Sequence, residues 1–285
     1  MNKNNIRDKI LNNLNNLFSL NNKNILKANK DELKNNIDYL KNSYIETKKY
    51  FYVLSGLKSD ENFKDKVKVF TKDFGTIIVQ NKKKEKFVHV TPKVSSIKKF
   101  NVSEKKKFLR YHETNSGGAL HSDGPQLNTP PKYIFLACIT NSTKGGDSII
   151  TDCKKIHADM KKNDPEAFNI LSENFLFERR GFDYANQNIF SKPIFFQNKK
   201  SFRFRYLRVY IEAAYKTKNL SLSKSKKNAL DTLDNYLNNE DYQMKLKLVP
   251  GDILIVNNNY LAHGRTGFSL NKNTGQRDYL RVWVN

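Results

Sequence analysis

The chain has 285 residues, 38% of them apolar, which suffices for one sizeable core and for one or two domains. Its 51 Lys and Arg against 28 Asp and Glu leave a formal charge of +23, but the lysines run from Lys3 to Lys272, mixed with asparagine throughout. They form no stripe, so no nucleic-acid partner is expected and a basic nucleic-acid-binding module is the disfavoured alternative. Two cysteines, Cys138 and Cys153, exclude a disulfide framework, and no stretch reaches the roughly 18 apolar residues of a membrane span. The N-terminus also lacks the apolar core of a signal peptide, so a reduced, cytoplasmic protein without a membrane partner is expected.

Along the chain, Ile6, Ile10, Leu14 and Leu17 recur at helical spacing, and Leu33, Ile37 and Leu40 repeat the pattern. Two amphipathic helices follow, in a helical N-terminal extension over residues 1–60 packed on the rest of a single domain, 1–285. The texture then turns to short β-rich runs, "YFYVLSG", "GTIIVQN", "KFVHVTP" and "KKFLRYHET", and continues through "KYIFLACIT" and "DSIITD". "CKKIHADMKKNDPEAFNILSEN" reads as a helical insertion whose second half starts at Pro165. Two strands in "KPIFFQNKKSFRFRYLR" precede a helix with Leu230, Leu233 and Leu237 on one face. "YQMKLKLV", "GDILIVNN" and "RDYLRVWV" close the chain as strands. Helices in front of and among many short antiparallel strands predict a mainly β fold with flanking helices, a decorated sandwich or jelly roll.

Residues two apart in a strand project from one face, so His121 and Asp123 would aim an imidazole and a carboxylate at one spot. Of the remaining histidines, His263 stands out because Gly264 and Gly267 mark a turn around it. Two His and one carboxylate leave one side of an octahedron open, which is the ligand set of non-haem Fe(II) oxygenases; a zinc site is the weaker alternative.

In order along the chain, "LHSDGPQ", "PPKYIFLAC", "GGDSIITD" and "GDILIVNNNYLAHGRTGF" followed by "QRDYLRVWV" resemble the TauD/TfdA and clavaminate-synthase-like superfamily of Fe(II)/2-oxoglutarate-dependent dioxygenases, from about Phe108 to the C-terminus. The resemblance implies a double-stranded β-helix, a jelly roll holding iron at its open end. It implies Fe(II) as cofactor on His121, Asp123 and His263, with 2-oxoglutarate and dioxygen as cosubstrates. Arg277, fourteen residues after the distal histidine, would hold the far carboxylate of 2-oxoglutarate, helped by the hydroxyl of Ser148 after the Gly-Gly-Asp turn. The carboxylate of Asp123 disfavours halogenation. Asn257-Asn258 stands where the family often has Asp-Asn, which removes a carboxylate that would orient an imidazole.

The residues make a separate case for Arg277, since a buried carboxylate needs a cation and the guanidinium fork satisfies both oxygens. Alternation sets Arg277, Tyr279, Arg281 and Trp283 on one face of the last strand and Leu280, Val282 and Val284 on the other. Arg277 and Arg281 lie about 13 Å apart at ~3.3 Å per residue, too far to share one small dicarboxylate, so Arg281 is assigned to an anionic group of the substrate. The expected reaction is hydroxylation of an unactivated carbon of a small polar metabolite such as an amino acid. The same chemistry, or desaturation or cyclisation, on a substrate carried by an acidic carrier protein is the alternative. Arg203 and Arg205 read as one solvated strand face, Cys138 as a small core residue, His112, Glu113 and Asn115 as either structural or reaching the pocket mouth, and His157 has no assigned role.

Overall fold

Apolar residues occupy both faces of several strands, and each face has its own cover. The computed structural model describes residues 25–27, 50–55, 57–92, 115–179, 188–199, 201–269 and 277–285. In chain order these form β1 (Ile25–Lys27), β2 (Phe51–Ser55), α1 (Phe63–Phe74), β3 (Phe87–Val90), β4 (Tyr133–Thr140), β5 (Ser148–Asp152), α2 (Cys153–Asn163), α3 (Pro165–Leu171), β6 (Asn174–Glu178), β7 (Ile189–Pro193), β8 (Phe195–Gln197), β9 (Phe202–Phe204), α4 (Arg208–Thr217), α5 (Lys224–Asn238), β10 (Gln243–Leu246), β11 (Ile253–Asn257), β12 (Leu261–Arg265) and β13 (Asp278–Val284).

A six-stranded sheet has the order β1-β2-β11-β4-β13-β3, and a three-stranded sheet the order β10-β5-β12. All pairings in them are antiparallel except β1 with β2. On the outer face of the larger sheet, Leu54, Phe135, Ile255 and Val282 pack under Phe63, Val67, Phe70 and Phe74 of α1. Its inner face brings Val53, Ile134, Val256 and Trp283 against Ile150 and Leu261 of the smaller sheet. The far side of the smaller sheet contributes Ala262 to a second core built with α2, α5 and the β6–β7 hairpin. This is a jelly roll with helices flanking both sheets.

Local chemistry sets the helix ends. The carboxylate of Asp152 accepts from the Lys154 and Lys155 amides at the start of α2, Pro165 opens α3, and the Ser223 hydroxyl accepts from the Lys226 amide at the start of α5. Leu230, Leu233 and Leu237 are buried on one face of α5, as their spacing predicts.

Several expectations need correction. Residues 51–55 form β2 in the main sheet between β1 and β11, as the run "YFYVLSG" predicts, so the helical extension does not reach residue 60. The predicted helices over Ile6–Leu17 and Leu33–Leu40, and the strand in "KKFLRYHET", lie outside the described residues. "GTIIVQN" supplies only an isolated bridge from Ile77 to Val284. The helix α1 is unforeseen because its buried residues Phe63, Val67, Phe70 and Phe74 are interleaved with lysines and β-branched residues. Helix α4 and the β6–β7 hairpin are likewise additions.

Candidate active site

At one end of the space between the sheets, His121 and His263 exchange both backbone hydrogen bonds, 3.0 and 2.8 Å long, across an isolated antiparallel bridge. Their rings face each other with centroids 4.6 Å apart. Asp123 completes a group in which one ligand atom from each residue lies within 4.8 Å of the others. His263 Nε2 is 3.7 Å from Asp123 Oδ2, and His121 Nε2 is 3.7 Å from Asp123 Oδ1. All three residues are buried.

The sequence brings these three together correctly, but by a different route. His263 lies within strand β12 rather than in a turn, because Gly264 makes room for the Leu120 side chain, 3.1 Å from where a Cβ would stand. His121, Ser122 and Asp123 belong to no regular strand, so alternation is not what converges them.

Protonation states suit a cation. The Ala119 carbonyl lies 2.9 Å from His121 Nδ1, which donates to it, so Nε2 is the ring nitrogen turned toward Asp123. Burial and the His121 ring lower the His263 pKa to about 3, so it is neutral. Burial alone would raise the Asp123 carboxyl, but Arg281 and the two histidines outweigh it and hold the group well below the usual carboxylate range. A neutral His263 and an ionised Asp123 are in the forms in which such side chains bind a metal.

Strand β13 lines the site as its alternation predicts. Leu280, Val282 and Val284 join the outer core, whereas Tyr279 and Trp283 face inward. Arg281 Nη1 donates to both Asp123 oxygens, at 3.1 and 3.2 Å, and its Nε donates to Gln80 Oε1 at 2.8 Å. The expectation that Arg281 serves only a substrate is therefore incomplete, since the same guanidinium braces Asp123. The indole of Trp283 donates to Asp123 Oδ2 at 2.9 Å. Trp283 and Gln80 are contributors that sequence reasoning missed. Alternation puts Trp283 on the right face, but nothing near Gln80 signals its contact.

Arg277 lies one residue before β13, buried. Its guanidinium stacks on the Tyr279 ring, 3.8 Å from the centroid, with Phe268 at 5.8 Å. Its one hydrogen bond is from Nε to the Gly146 carbonyl, at 3.4 Å, and no carboxylate pairs with it among the described residues. A buried cation with no carboxylate partner among the described residues, four residues before the Arg281 that holds Asp123, fits a dicarboxylate that brings its own charge. Gly146 permits this seat, because a Cβ there would stand 3.2 Å from Arg277 Cδ and 2.4 Å from Ser142 Oγ. Lys247 Nζ ties the same turn by donating to the carbonyls of Ser142, at 2.8 Å, and Gly145. Ser148, two residues beyond Gly146, is buried and shares a face of β5 with Ile150, which pairs with His263.

Other residues resolve as structural. Arg205 is buried rather than solvated, donating to the carbonyls of Pro125 (3.1 Å), Leu127 (2.7 Å) and Asn128 (3.1 Å) in the loop after Asp123. Asn115 donates to the Phe268 carbonyl, Cys138 is a core residue, and His157 sits among Phe168, Phe195 and Phe202. His112 and Glu113 lie outside the described residues.

Comparison with known proteins gives concordant results. Gamma-butyrobetaine dioxygenase of Homo sapiens is 30% identical over 156 residues, 53% of this chain and 40% of that protein. FR-33289 synthase of Streptomyces rubellomurinus (strain ATCC 31215) is 24% identical over 184 residues, 63% of this chain and 52% of that protein. The matched region thus spans about half the length or less of these curated relatives. The fold is similar to that of asparagine oxygenase crystallised with Fe(II), 3-hydroxyasparagine and succinate, with a TM-score of 0.66 at 14% identity, covering 89% of this chain and 79% of that one. It is also similar to the non-heme iron oxygenase OrfP holding Fe and alpha-ketoglutaric acid, with a TM-score of 0.65 at 12% identity, covering 88% and 80%. Residues 43–283 match the family described as "Taurine catabolism dioxygenase TauD, TfdA family", and the chain belongs to this family of Fe(II)- and 2-oxoglutarate-dependent dioxygenases.

Proposed function

We propose that this chain is an Fe(II)- and 2-oxoglutarate-dependent dioxygenase that hydroxylates an unactivated carbon of a small, polar, amino-acid-like metabolite. The observation that carries this reading is the convergence of His121, Asp123 and His263, together with a buried Arg277 that has no carboxylate partner among the described residues. His121 Nε2, His263 Nε2 and a carboxylate oxygen of Asp123 would hold iron, which when bound supplies the oxidising chemistry driven by 2-oxoglutarate decarboxylation. Arg277 and Ser148 would hold the far carboxylate of 2-oxoglutarate. The Tyr279 ring beneath Arg277 excludes water from that ion pair and keeps the fork oriented.

Arg281 supports an anionic group on the substrate. Its Nε and Nη1 are taken by Gln80 and Asp123, whereas Nη2 makes no hydrogen bond among the described residues. A substrate carboxylate on Nη2 would stand next to the metal ligand Asp123. Amino-acid ligands in similar folds lend weight to this class: OrfP structures hold L-Arg or hydroxy-L-Arg, and asparagine oxygenase holds 3-hydroxyasparagine. Among the described residues no helix is long and apolar enough to cross a membrane.

The test is an anaerobic screen of free amino acids and their derivatives against the protein loaded with Fe(II) and 2-oxoglutarate. A true substrate should shift the visible charge-transfer band and, once oxygen is admitted, yield succinate and hydroxylated product in equal amounts. Absence of any iron-dependent succinate would overturn the enzymatic reading. A response confined to carrier-bound amino acids would overturn the free-metabolite one.

A further inference from the structure

We infer that Asn258 is a positioning residue for the carboxylate arm of the metal site, its side-chain amide serving Asp123 as a substitute strand neighbour. The inference rests on the proposed reading of His121, Asp123 and His263 as metal ligands. Each residue of the His121-Ser122-Asp123 tripeptide is held by a different element. His121 pairs with the backbone of His263. The Ser122 amide donates to the Tyr206 carbonyl, and the Tyr206 amide donates to Ser122 Oγ, both at 2.9 Å. Asp123 has a side chain instead: its amide donates to Asn258 Oδ1 at 2.8 Å, and its carbonyl accepts from Asn258 Nδ2 at 2.9 Å.

The clamp is itself anchored. Asn258 Nδ2 also donates to the Pro131 carbonyl at 3.0 Å, and the Asn258 amide donates to the Lys132 carbonyl at 2.9 Å. Asn258 is only 1% exposed, so water does not stand in for these bonds. A carboxamide presents a donor and an acceptor side by side, as a peptide group does. Aspartate at this position would set an oxygen against the Asp123 and Pro131 carbonyls. Leucine would leave the Asp123 amide and both carbonyls unpaired. The backbone of Asp123 fixed in this way, its carboxylate meets Arg281 and Trp283 on β13. Asn258, ahead of the distal histidine in sequence, therefore acts on the opposite ligand through its backbone.

Substitution of Asn258 by Asp, and separately by Ser, in native and Asp123→Ala backgrounds tests this. Serine leaves space for water to pair the freed groups and guards against failure to fold. Each chelated protein is titrated anaerobically with Co(II), following its d–d absorption, alongside a thermal melt of the metal-free form. Acting through Asp123, either substitution should weaken Co(II) binding about tenfold or more in the native background and less than about threefold in the Asp123→Ala background. Equal losses in both backgrounds, or no loss in the native one, would overturn the role of Asn258. If Asp123→Ala alone leaves Co(II) affinity unchanged, the ligand assignment falls first and the inference falls with it.

Discussion

Replacing Arg277 with alanine should weaken 2-oxoglutarate binding without unfolding the protein, because the terms acting on this side chain oppose one another in the metal-free form. The stack on Tyr279, 3.8 Å from guanidinium carbon to ring centroid, contributes about 2 kcal/mol in a desolvated setting. The 3.4 Å bond to the Gly146 carbonyl adds less than about 1 kcal/mol. Against these stands the cost of burying an unpaired cation, several kcal/mol by the usual reckoning. The metal-free melting temperature should therefore move by less than about 5 °C. With 2-oxoglutarate bound, the same cation acquires its partner, and removing one member of a buried pair costs about 3–5 kcal/mol. That corresponds to a roughly two-hundredfold to five-thousandfold loss of affinity. Anaerobic titration of 2-oxoglutarate into the Fe(II) protein, read through the charge-transfer band, measures it. Arg277→Lys, which keeps the charge and loses the fork, should recover only part. Native affinity in a normally folded Arg277→Ala protein would refute the assignment, and a collapsed melt would show that the stack is worth more than the desolvation it offsets.

Trp283→Phe keeps the inward ring and deletes the donor to Asp123 Oδ2 at 2.9 Å, so Co(II) affinity should fall about tenfold, with the melt of the metal-free protein little changed. Gly145→Ala, at φ +74° and with the Gly267 carbonyl oxygen 2.1 Å from the new Cβ, should cost about 3 kcal/mol in a urea titration. It should also lower 2-oxoglutarate affinity, since the next residue receives Arg277. His157 lies 4.9 to 5.3 Å from three phenylalanine rings, and burial together with Lys154 and Lys161 lowers its pKa from 6.5 to about 4. The unfolded chain then takes up a proton that the folded chain refuses. Stability is full above pH 6.5 and declines as pH falls toward 4, and His157→Phe should flatten that part of the denaturation-midpoint profile.

The parts of this fold that are legible in the sequence are those governed by local period. The leucines of α5 and the alternation of β13 fall on the faces that their spacing dictates. The triad's members are legible too, because histidine is rare, with 5 in the chain, and His121 stands two residues from an acid. What holds them is not. Ser122 and Asp123 depend on Tyr206 and Asn258, 84 and 135 residues away, and no local pattern encodes those pairings. Arg205 alternates like a surface residue, yet its partners are backbone carbonyls of a distant loop, which carry no side-chain signal. Gly264 reads as a turn when its smallness accommodates Leu120 against a strand.

The bridge between His121 and His263 joins the loop ahead of β4 to a strand of the smaller sheet, so the ligand set exists only while these remote segments are together. Opening that contact separates the two imidazoles, and an ion held between them opposes the opening by mass action. Free metal at a hundred times its dissociation constant adds about 2.7 kcal/mol to the folded state. If these residues hold iron as proposed, the chelated protein should open more often and be cut faster by an added protease than the iron-loaded one.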